Sequence, residues 1–315
     1  MKVIRFLRVG RGIPVCNYLK YVCRAQLALF FYFQSTCMVE MVSAESVREE
    51  GLDKFYTLPE IAAQCIAAIG KRYDWSTWDL IIEPSAGSGN FYTLIPSKKK
   101  IGIDIRPAHK SIVKQNFLTY EPPSKYKKIL VVGNPPFSKN LAVDFFNHAA
   151  EFASVIAFIV PRTFRRVSIQ NRLNLDFHLV KDIDIPLDPC AFVPKTNIKT
   201  CFQIWEKKDT PRKPVKLQTT HKDWEFLKVT RRQRKPPKGV DFAMRSETGE
   251  CGEIVEDYDD IGDPTKWFWI KSNIGKKLLK KRFESLNYDI SYDTLTTRNS
   301  LGRGDLVRLY TKKFG

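Results

Sequence analysis

The chain has 315 residues, a length for one large domain or two modest ones at roughly 100–200 residues each. Hydrophobic residues make up 43%, which supports a buried core and excludes a disordered chain. Lys and Arg total 52 against 34 Asp and Glu, a formal net charge of +18. Such a surplus points to a polyanion partner, nucleic acid before an acidic membrane face, and disfavours a structural or small secreted role.

The seven cysteines, Cys16, Cys23, Cys37, Cys65, Cys190, Cys201 and Cys251, are odd in number, scattered and without a CxxC pair. With four histidines no zinc-finger spacing arises, and no metal is expected. Scattered thiols suit an intracellular, reducing compartment. The longest strongly apolar run, Leu27–Phe33, has seven residues against the ~20 needed to span a bilayer, so no transmembrane helix and no membrane partner is expected.

In chain order, residues 1–39 carry six cations and no acid. Residues 1–50 are expected to be a basic and apolar extension outside the fold. It is either an organelle-targeting segment over residues 1–40 or a stretch upstream of a true start at Met38 or Met41, with packed structure as the remaining reading. Next, Ile61, Ala62, Cys65, Ile66 and Ile69 repeat at helical spacing, behind a capping box of Thr57 and Glu60 with Pro59 in the first turn. Apolar runs then predict strands at Leu80–Glu83, Lys100–Ile105, Lys128–Gly133 and Ser154–Val160. Runs of this kind suit parallel strands buried on both faces. A helix carrying Leu141, Phe145, Ala149 and Phe152 on one side follows Ser138 as its expected N-cap. Two more strands are expected near Phe177–Ile185 and Thr200–Trp205. Strands alternating with helices predict a doubly wound α/β sheet.

Composition changes after Trp205. Residues 207–238 hold twelve Lys or Arg and three acids, net +9; residues 247–263 hold eight acids and no base. Trp267-Phe268-Trp269 and a basic amphipathic stretch, Lys276–Arg282, follow. The expected division is an extension over 1–50, a catalytic domain over 51–206 and a basic nucleic-acid-binding or target-recognition region over 207–315. In that last region Arg231, Arg232, Arg234 and Lys235 are the candidate phosphate contacts.

Four places carry chemistry. Glu83-Pro84-Ser85-Ala86-Gly87-Ser88-Gly89 ends a strand in an acid and opens a glycine turn, where backbone amides can approach a ligand closely. It is not the G-x-G-x-x-G fingerprint, and an ordinary glycine turn is the bland alternative. Asp104 ends the next strand 21 residues after Glu83, where a carboxylate can accept from both hydroxyls of a ribose; the alternative is a helix-capping or surface acid. Asn134-Pro135-Pro136-Phe137 follows the third strand. An exocyclic aromatic amine is a poor nucleophile because its lone pair is delocalised into the ring. Two acceptors, the Asn134 side-chain oxygen and the Pro135 carbonyl, can draw its nitrogen toward tetrahedral geometry, and proline fixes that carbonyl. Phe137 would stack on the base; the alternative is a proline-rich turn with Phe137 in the core. Fourth, Lys54-Phe55-Tyr56-Thr57 precedes the first helix, whose N-terminus favours a carboxylate.

These motifs, in this order over about Asp53–Lys207, resemble class I S-adenosylmethionine-dependent methyltransferases, specifically the N6-adenine type found in phages and large DNA viruses. The resemblance implies a seven-stranded Rossmann-like sheet of order 3-2-1-4-5-7-6 with the last strand antiparallel. It implies S-adenosyl-L-methionine as cofactor, with Ala86, Gly87 and Gly89 at its methionine part, Asp104 at its ribose, Thr57 near its carboxylate, and Glu83 and Pro84 also in the cofactor site. Asn116-Phe117 stands where the family usually has Asp-Phe against the cofactor's adenine. Phe192–Trp205 is similar to a late loop and strand near the target base. The implied activity is methyl transfer to the N6 amine of adenine in nucleic acid, DNA foremost, with Asn134, Pro135, Pro136 and Phe137 as the catalytic tetrapeptide. RNA adenine, a protein glutamine and a non-catalytic nucleic-acid-binding subunit are the alternatives.

Overall fold

In the computed structural model the described residues are 55–315 except 233–234, 260 and 294–298. The expectations for residues 1–50, for a start at Met38 or Met41, for Lys54 and for Arg234 lie outside the described residues. The apolar runs form strands and pair as one sheet of seven. In chain order the elements are β1 (Tyr56–Thr57), α1 (Pro59–Gly70), β2 (Leu80–Glu83), α2 (Asn90–Leu94), β3 (Lys100–Asp104), β4 (Ile112–Lys114) and β5 (Ile129–Gly133). Then come α3 (Leu141–Ala150), β6 (Val155–Pro161), α4 (Val167–Gln170), β7 (Phe177–Asp184), β8 (Phe192–Val193) and β9 (Thr200–Lys207).

The large sheet runs β4-β3-β2-β5-β6-β9-β7. Counting its own strands in chain order, that is 3-2-1-4-5-7-6, with β9 antiparallel to both neighbours. This is a doubly wound, Rossmann-like sheet in the strand order that the resemblance implies. Alternate residues of each strand face opposite layers. Ile82, Val131, Ile156 and Phe158 meet α3 through Val143, Phe146 and Ala149. Ile81, Leu130, Ala157 and Ile159 meet α1 through Ile61, Cys65 and Ile69. Strands covered on both faces need apolar residues at every position, so the runs carry no alternation.

Three local expectations are corrected. Thr57 and Glu60 form no capping box: Leu58 is the N-cap of α1, no side chain caps it, and Pro59 opens the helix. Thr57 is extended instead, because β1 pairs antiparallel with β8, Thr57 opposite Phe192. Ser138 does not cap α3: a 3-10 turn over Ser138–Asn140 comes first, and Asn140 at φ 66° is the N-cap. Ile105 lies past the end of β3 and is 46% exposed. The short edge strand β4 has no apolar run of its own and was not anticipated from pattern.

After β9, residues 209–218 follow the rim of the first sheet, held by Asn171 Nδ2, which donates to the Val215 carbonyl (2.8 Å). A four-stranded antiparallel sheet follows, from β10 (Trp224–Leu227), β11 (Phe242–Arg245), β12 (Ile254–Val255) and β13 (Trp267–Ser272), in the order β10-β13-β11-β12. Helices α5 (Lys276–Glu284), α6 (Ile290–Asp293) and α7 (Arg303–Phe314) complete the chain. Strand β13 alternates: Phe268 and Ile270 join a core with Phe283 and Tyr310, whereas Trp267 and Trp269 pack on the other face with Ala243. The described cysteines, Cys65, Cys190, Cys201 and Cys251, are free. No helix among the described residues is long and apolar enough to cross a membrane.

Candidate active site

Strands β2 and β5 are neighbours but are not joined directly: the chain leaves β2 toward one edge of the sheet and returns through β5 toward the other. Ligands of open α/β sheets bind at such a switch point, beyond the carboxyl ends of the strands. There the structure places a cavity of about 320 Å³. Its lining brings together the β2 exit (Glu83, Pro84, Ala86, Gly87), Asp104, Asn116 and Phe117, the β5 exit (Asn134, Pro135, Pro136, Phe137) and Thr57.

The glycine turn is built for close approach. Gly87 has φ 47°, and a Cβ there would stand 2.7 Å from Cε1 of Tyr56. Its N–H donates to Asp104 Oδ2 (2.8 Å), and the Arg106 N–H donates to Oδ1 (2.7 Å). Asp104 thus ties the tip of β3 to the turn. Gly89 does not line the cavity. Its φ of 84° starts α2, and a Cβ there would press on His109 at 3.3 Å.

Three lining residues keep a buried polar atom with no hydrogen-bond partner: Thr57 Oγ1, Glu83 Oε2 and Asn134 Oδ1. An unpaired buried polar atom costs about 1–3 kcal/mol, so three at one cavity call for a partner that the chain itself does not supply, water or a polar ligand. Glu83 is 3% exposed, and burial pushes its carboxyl well above the usual range, with the nearby Asp104 charge adding to the shift and the Tyr92 N–H opposing it. Burial and Asp104 also raise the Tyr56 phenol.

The orientation of Asn134 is set from 79 residues away. Its Nδ2 donates to the Phe55 carbonyl (2.9 Å), and the Ser85 hydroxyl donates to its own carbonyl (2.9 Å). With Nδ2 occupied, the side chain presents Oδ1 as an acceptor. On the other side of Tyr56, Asn90 Nδ2 donates to the Thr57 carbonyl (2.7 Å). Two asparagine amides therefore clamp the strap of residues 55–57 by its carbonyls. Phe55, Tyr56 and Asn90 line the cavity; Phe55 and Tyr56 belong to the motif read before the first helix, but none of the three was given a role from sequence. The adjacency of Phe55 and Tyr56 to Thr57, and of Asn90 to Gly89, was the available signal.

Phe137 is half-buried and packs beside the α1 face of the sheet. Phe117 is 1% exposed and stacks within the core against Phe145 at 5.2 Å. Asn116 Oδ1 accepts from the Leu118 N–H (3.0 Å), which fixes the turn that brings both residues to the cavity.

The residues present fit S-adenosylmethionine. The Gly87 cradle would be closed by a Cβ, Glu83 and Thr57 hold unpartnered oxygens in the same cavity, and Asp104 lines it at the end of β3.

The basic residues divide. Arg231, Arg232 and Lys235 line a second cavity. Arg212, counted in the same tract, is structural: its Nε donates to the Phe177 carbonyl (2.6 Å), and its guanidinium lies 5.2 Å from the Trp205 ring centre. Arg165 bonds Asp182 and Asp184, and Arg162 pairs with Asp184 (2.9 Å), so these cations are balanced from within.

No protein-family model and no curated protein sequence matches the chain. Solved structures resemble it over about half its length. The 23S rRNA methyltransferase ErmE is 17% identical, with a TM-score of 0.37 over 50% of this chain and 71% of that one. The type I restriction-modification methyltransferase subunit of Streptococcus thermophilus is 16% identical, with a TM-score of 0.35 over 50% and 45%. The magnesium protoporphyrin IX methyltransferase of Synechocystis, with bound S-adenosylmethionine, is 9% identical, with a TM-score of 0.35 over 48% and 79%. The strand order above, not likeness at this level, carries the fold assignment.

Proposed function

We propose that this chain transfers a methyl group from S-adenosylmethionine to the exocyclic N6 amine of adenine in nucleic acid, DNA foremost. One observation carries the reading. Asn134 presents a buried, unpartnered Oδ1 in the cavity while its Nδ2 is held by Phe55, so the site asks for a ligand hydrogen-bond donor, which an exocyclic amine is. An amine or amide supplies one; a hydroxyl-free carbon does not.

Thr57, Glu83, Pro84, Ala86, Gly87, Asp104, Asn116 and Phe117 would hold the cofactor, with Gly89 shaping the turn behind them. When bound, the cofactor supplies an electrophilic methyl group. The chain's own residues place the acceptor. The target base leaves its stack and enters at the sheet edge. Phe137 stacks on its face, and Asn134 Oδ1 and the Pro135 carbonyl accept from its amino group, concentrating the lone pair on nitrogen. Placement and fixed dipoles, rather than covalent chemistry, are the protein's contribution. Residues 207–315 would bind phosphates and help choose the site, supported by Arg231, Arg232 and Lys235 on one cavity.

The test is incubation with methyl-labelled cofactor and unmethylated DNA, RNA and protein, followed by digestion. Label in N6-methyladenine from DNA is expected. Label in the same base from RNA would move the substrate class, label in glutamine would overturn the nucleic-acid reading, and no label anywhere would make the chain a binding subunit.

A further inference from the structure

The second cavity, about 740 Å³, lies beside the four-stranded sheet and is the larger of the two described. Its volume is within the ~300–1,000 Å³ of small-ligand sites. Arg231 and Arg232, both exposed, line it with Lys235. The half-buried ring of Tyr258 lines it too, tilted against Trp269 at 5.2 Å. Asp259 and Asp263 add carboxylates to the lining.

The lining around Ile261–Pro264 is preorganised. The Trp269 indole N–H donates to the Pro264 carbonyl (2.9 Å), and the Trp267 indole N–H donates to the Ile261 carbonyl (2.9 Å). Asp263 accepts from the Thr265 N–H (3.0 Å) and hydroxyl (2.6 Å) and pairs with Arg231 at 3.4 Å. A Cβ on Gly262 would meet nothing within 4 Å, so the cleft stays open at that point.

Three chemistries meet here: cations, an aromatic ring and two carboxylates, of which that of Asp263 is held in place. A surface that only tracked phosphates would gain nothing from carboxylates beside its cations. An acidic peptide would be repelled by the same two aspartates. A nucleotide matches all three, with phosphate on the cations, base on the aromatic ring, and amino edge on a carboxylate.

We infer that this cleft holds one nucleotide of a single-stranded segment of the substrate, other than the base that is methylated, with its phosphate on Arg231 and Arg232 and its base on Tyr258. The inference rests on the nucleic-acid reading proposed above, and its test is kept separate from methyl transfer.

Short single-stranded DNA and RNA oligonucleotides that contain no adenine lack the base that the proposed reaction places on Asn134. Their binding to the full chain is measured by fluorescence anisotropy across a salt series. The wild type should bind at least one of them, and the tighter of the two identifies the strand. Tyr258→Ala should weaken binding about tenfold or more, and Tyr258→Phe should restore it, because stacking needs only the ring. Arg232→Glu, a reversal at an exposed position, should weaken binding and flatten the salt slope by about one unit. Circular dichroism checks that each variant is folded, and Arg232→Glu keeps the test decisive if Tyr258→Ala unfolds. Wild-type affinity and slope in both Tyr258→Ala and Arg232→Glu would overturn the inference, as would failure of the wild type to bind either oligonucleotide. If instead these variants bind as inferred but no nucleic acid is ever methylated, the transfer reading fails and the cleft stands.

Discussion

The two sheets hold their functional residues in different ways. Around the seven-stranded sheet, the cavity is made by backbone: glycine conformations, strand ends and carbonyls clamped by amides. Around the four-stranded sheet, exposed charged side chains stand on loops and pair with nearby acids. Backbone-built sites fail sharply when one atom is added or one amide is lost. Sites built from exposed charges lose affinity in increments, because each ion pair in water is worth little. The following experiments set these two behaviours against each other.

The largest effect is expected at Asn134. Asn134→Ala should abolish methyl transfer and weaken cofactor binding far less, since Asn90 still holds the strap at Thr57, as seen by activity assay beside calorimetry. More than about a tenth of wild-type activity, a loss under ~1.4 kcal/mol, would remove Asn134 as the main acceptor. Next is Gly87→Ala. Its Cβ would meet the Tyr56 ring at 2.7 Å on a backbone at φ 47°, so cofactor affinity should fall about tenfold or more by calorimetry. Asp104→Ala should also weaken the cofactor, since it releases the turn at Gly87. Unchanged affinity in both variants would break the view that this site is backbone-built.

Phe137→Ala should weaken capture of the target base by about 1–3 kcal/mol, read as oligonucleotide affinity. Phe137→Trp should recover part of it. Equal loss in both, with lowered melting temperatures, would make Phe137 a packing residue. On the other sheet, replacing Arg231, Arg232, Arg234 and Lys235 with Ala should flatten the salt dependence of nucleic-acid binding by up to about three units and leave free-cofactor affinity alone. An unchanged slope would place the phosphate-binding face elsewhere, with Lys277 and Lys281 on α5 the next candidates. Their neighbours Lys276 and Lys280 are already paired with Glu256, and Arg282 with Asp223.

The smallest effects concern pH, and they have opposite signs in the two regions. Burial raises Glu83, so its folded form holds a proton more tightly than the unfolded chain does. Its contribution to stability is full below the unfolded carboxyl value and is lost as pH rises above it. Burial lowers His221, which stacks on Trp224 at 4.5 Å. Its contribution is full at neutral pH and is lost as pH falls through the ordinary histidine range. Glu83→Gln should therefore raise the melting temperature most at alkaline pH, and His221→Gln should flatten the decline on the acid side. Thermal melts between about pH 5 and 8 check both.

Much of the seven-stranded sheet was legible because each buried strand declares itself in a few adjacent residues. The boundaries of β2, β5, β6 and β9 follow the apolar runs within two residues. Strand β4, with one buried residue in three, offered no such signal. The helix caps failed for a related reason. Thr57 and Ser138 have the right chemistry for caps, but Thr57 is drawn into pairing with Phe192, and the 3-10 turn displaces Ser138. The basic tract misled in part, since charge counts do not distinguish Arg212, which holds three backbone carbonyls, from Arg232, which is exposed.

By itself the amino-acid sequence determined the strand–helix alternation, the glycine turn after Glu83, the acid ending β3 and the tetrapeptide after β5. These depend on local period and on the conformations open to glycine and proline, which neighbours along the chain decide. Only the tertiary structure decided which way Asn134 faces, what closes over Gly87 and which cations remain on the surface. Each of these depends on a partner far along the chain: the Phe55 carbonyl, the Tyr56 ring, and the carbonyls and acids that meet Arg212 and Arg165. Such partners are set by the order in which strands join the sheet, and no local pattern records that order.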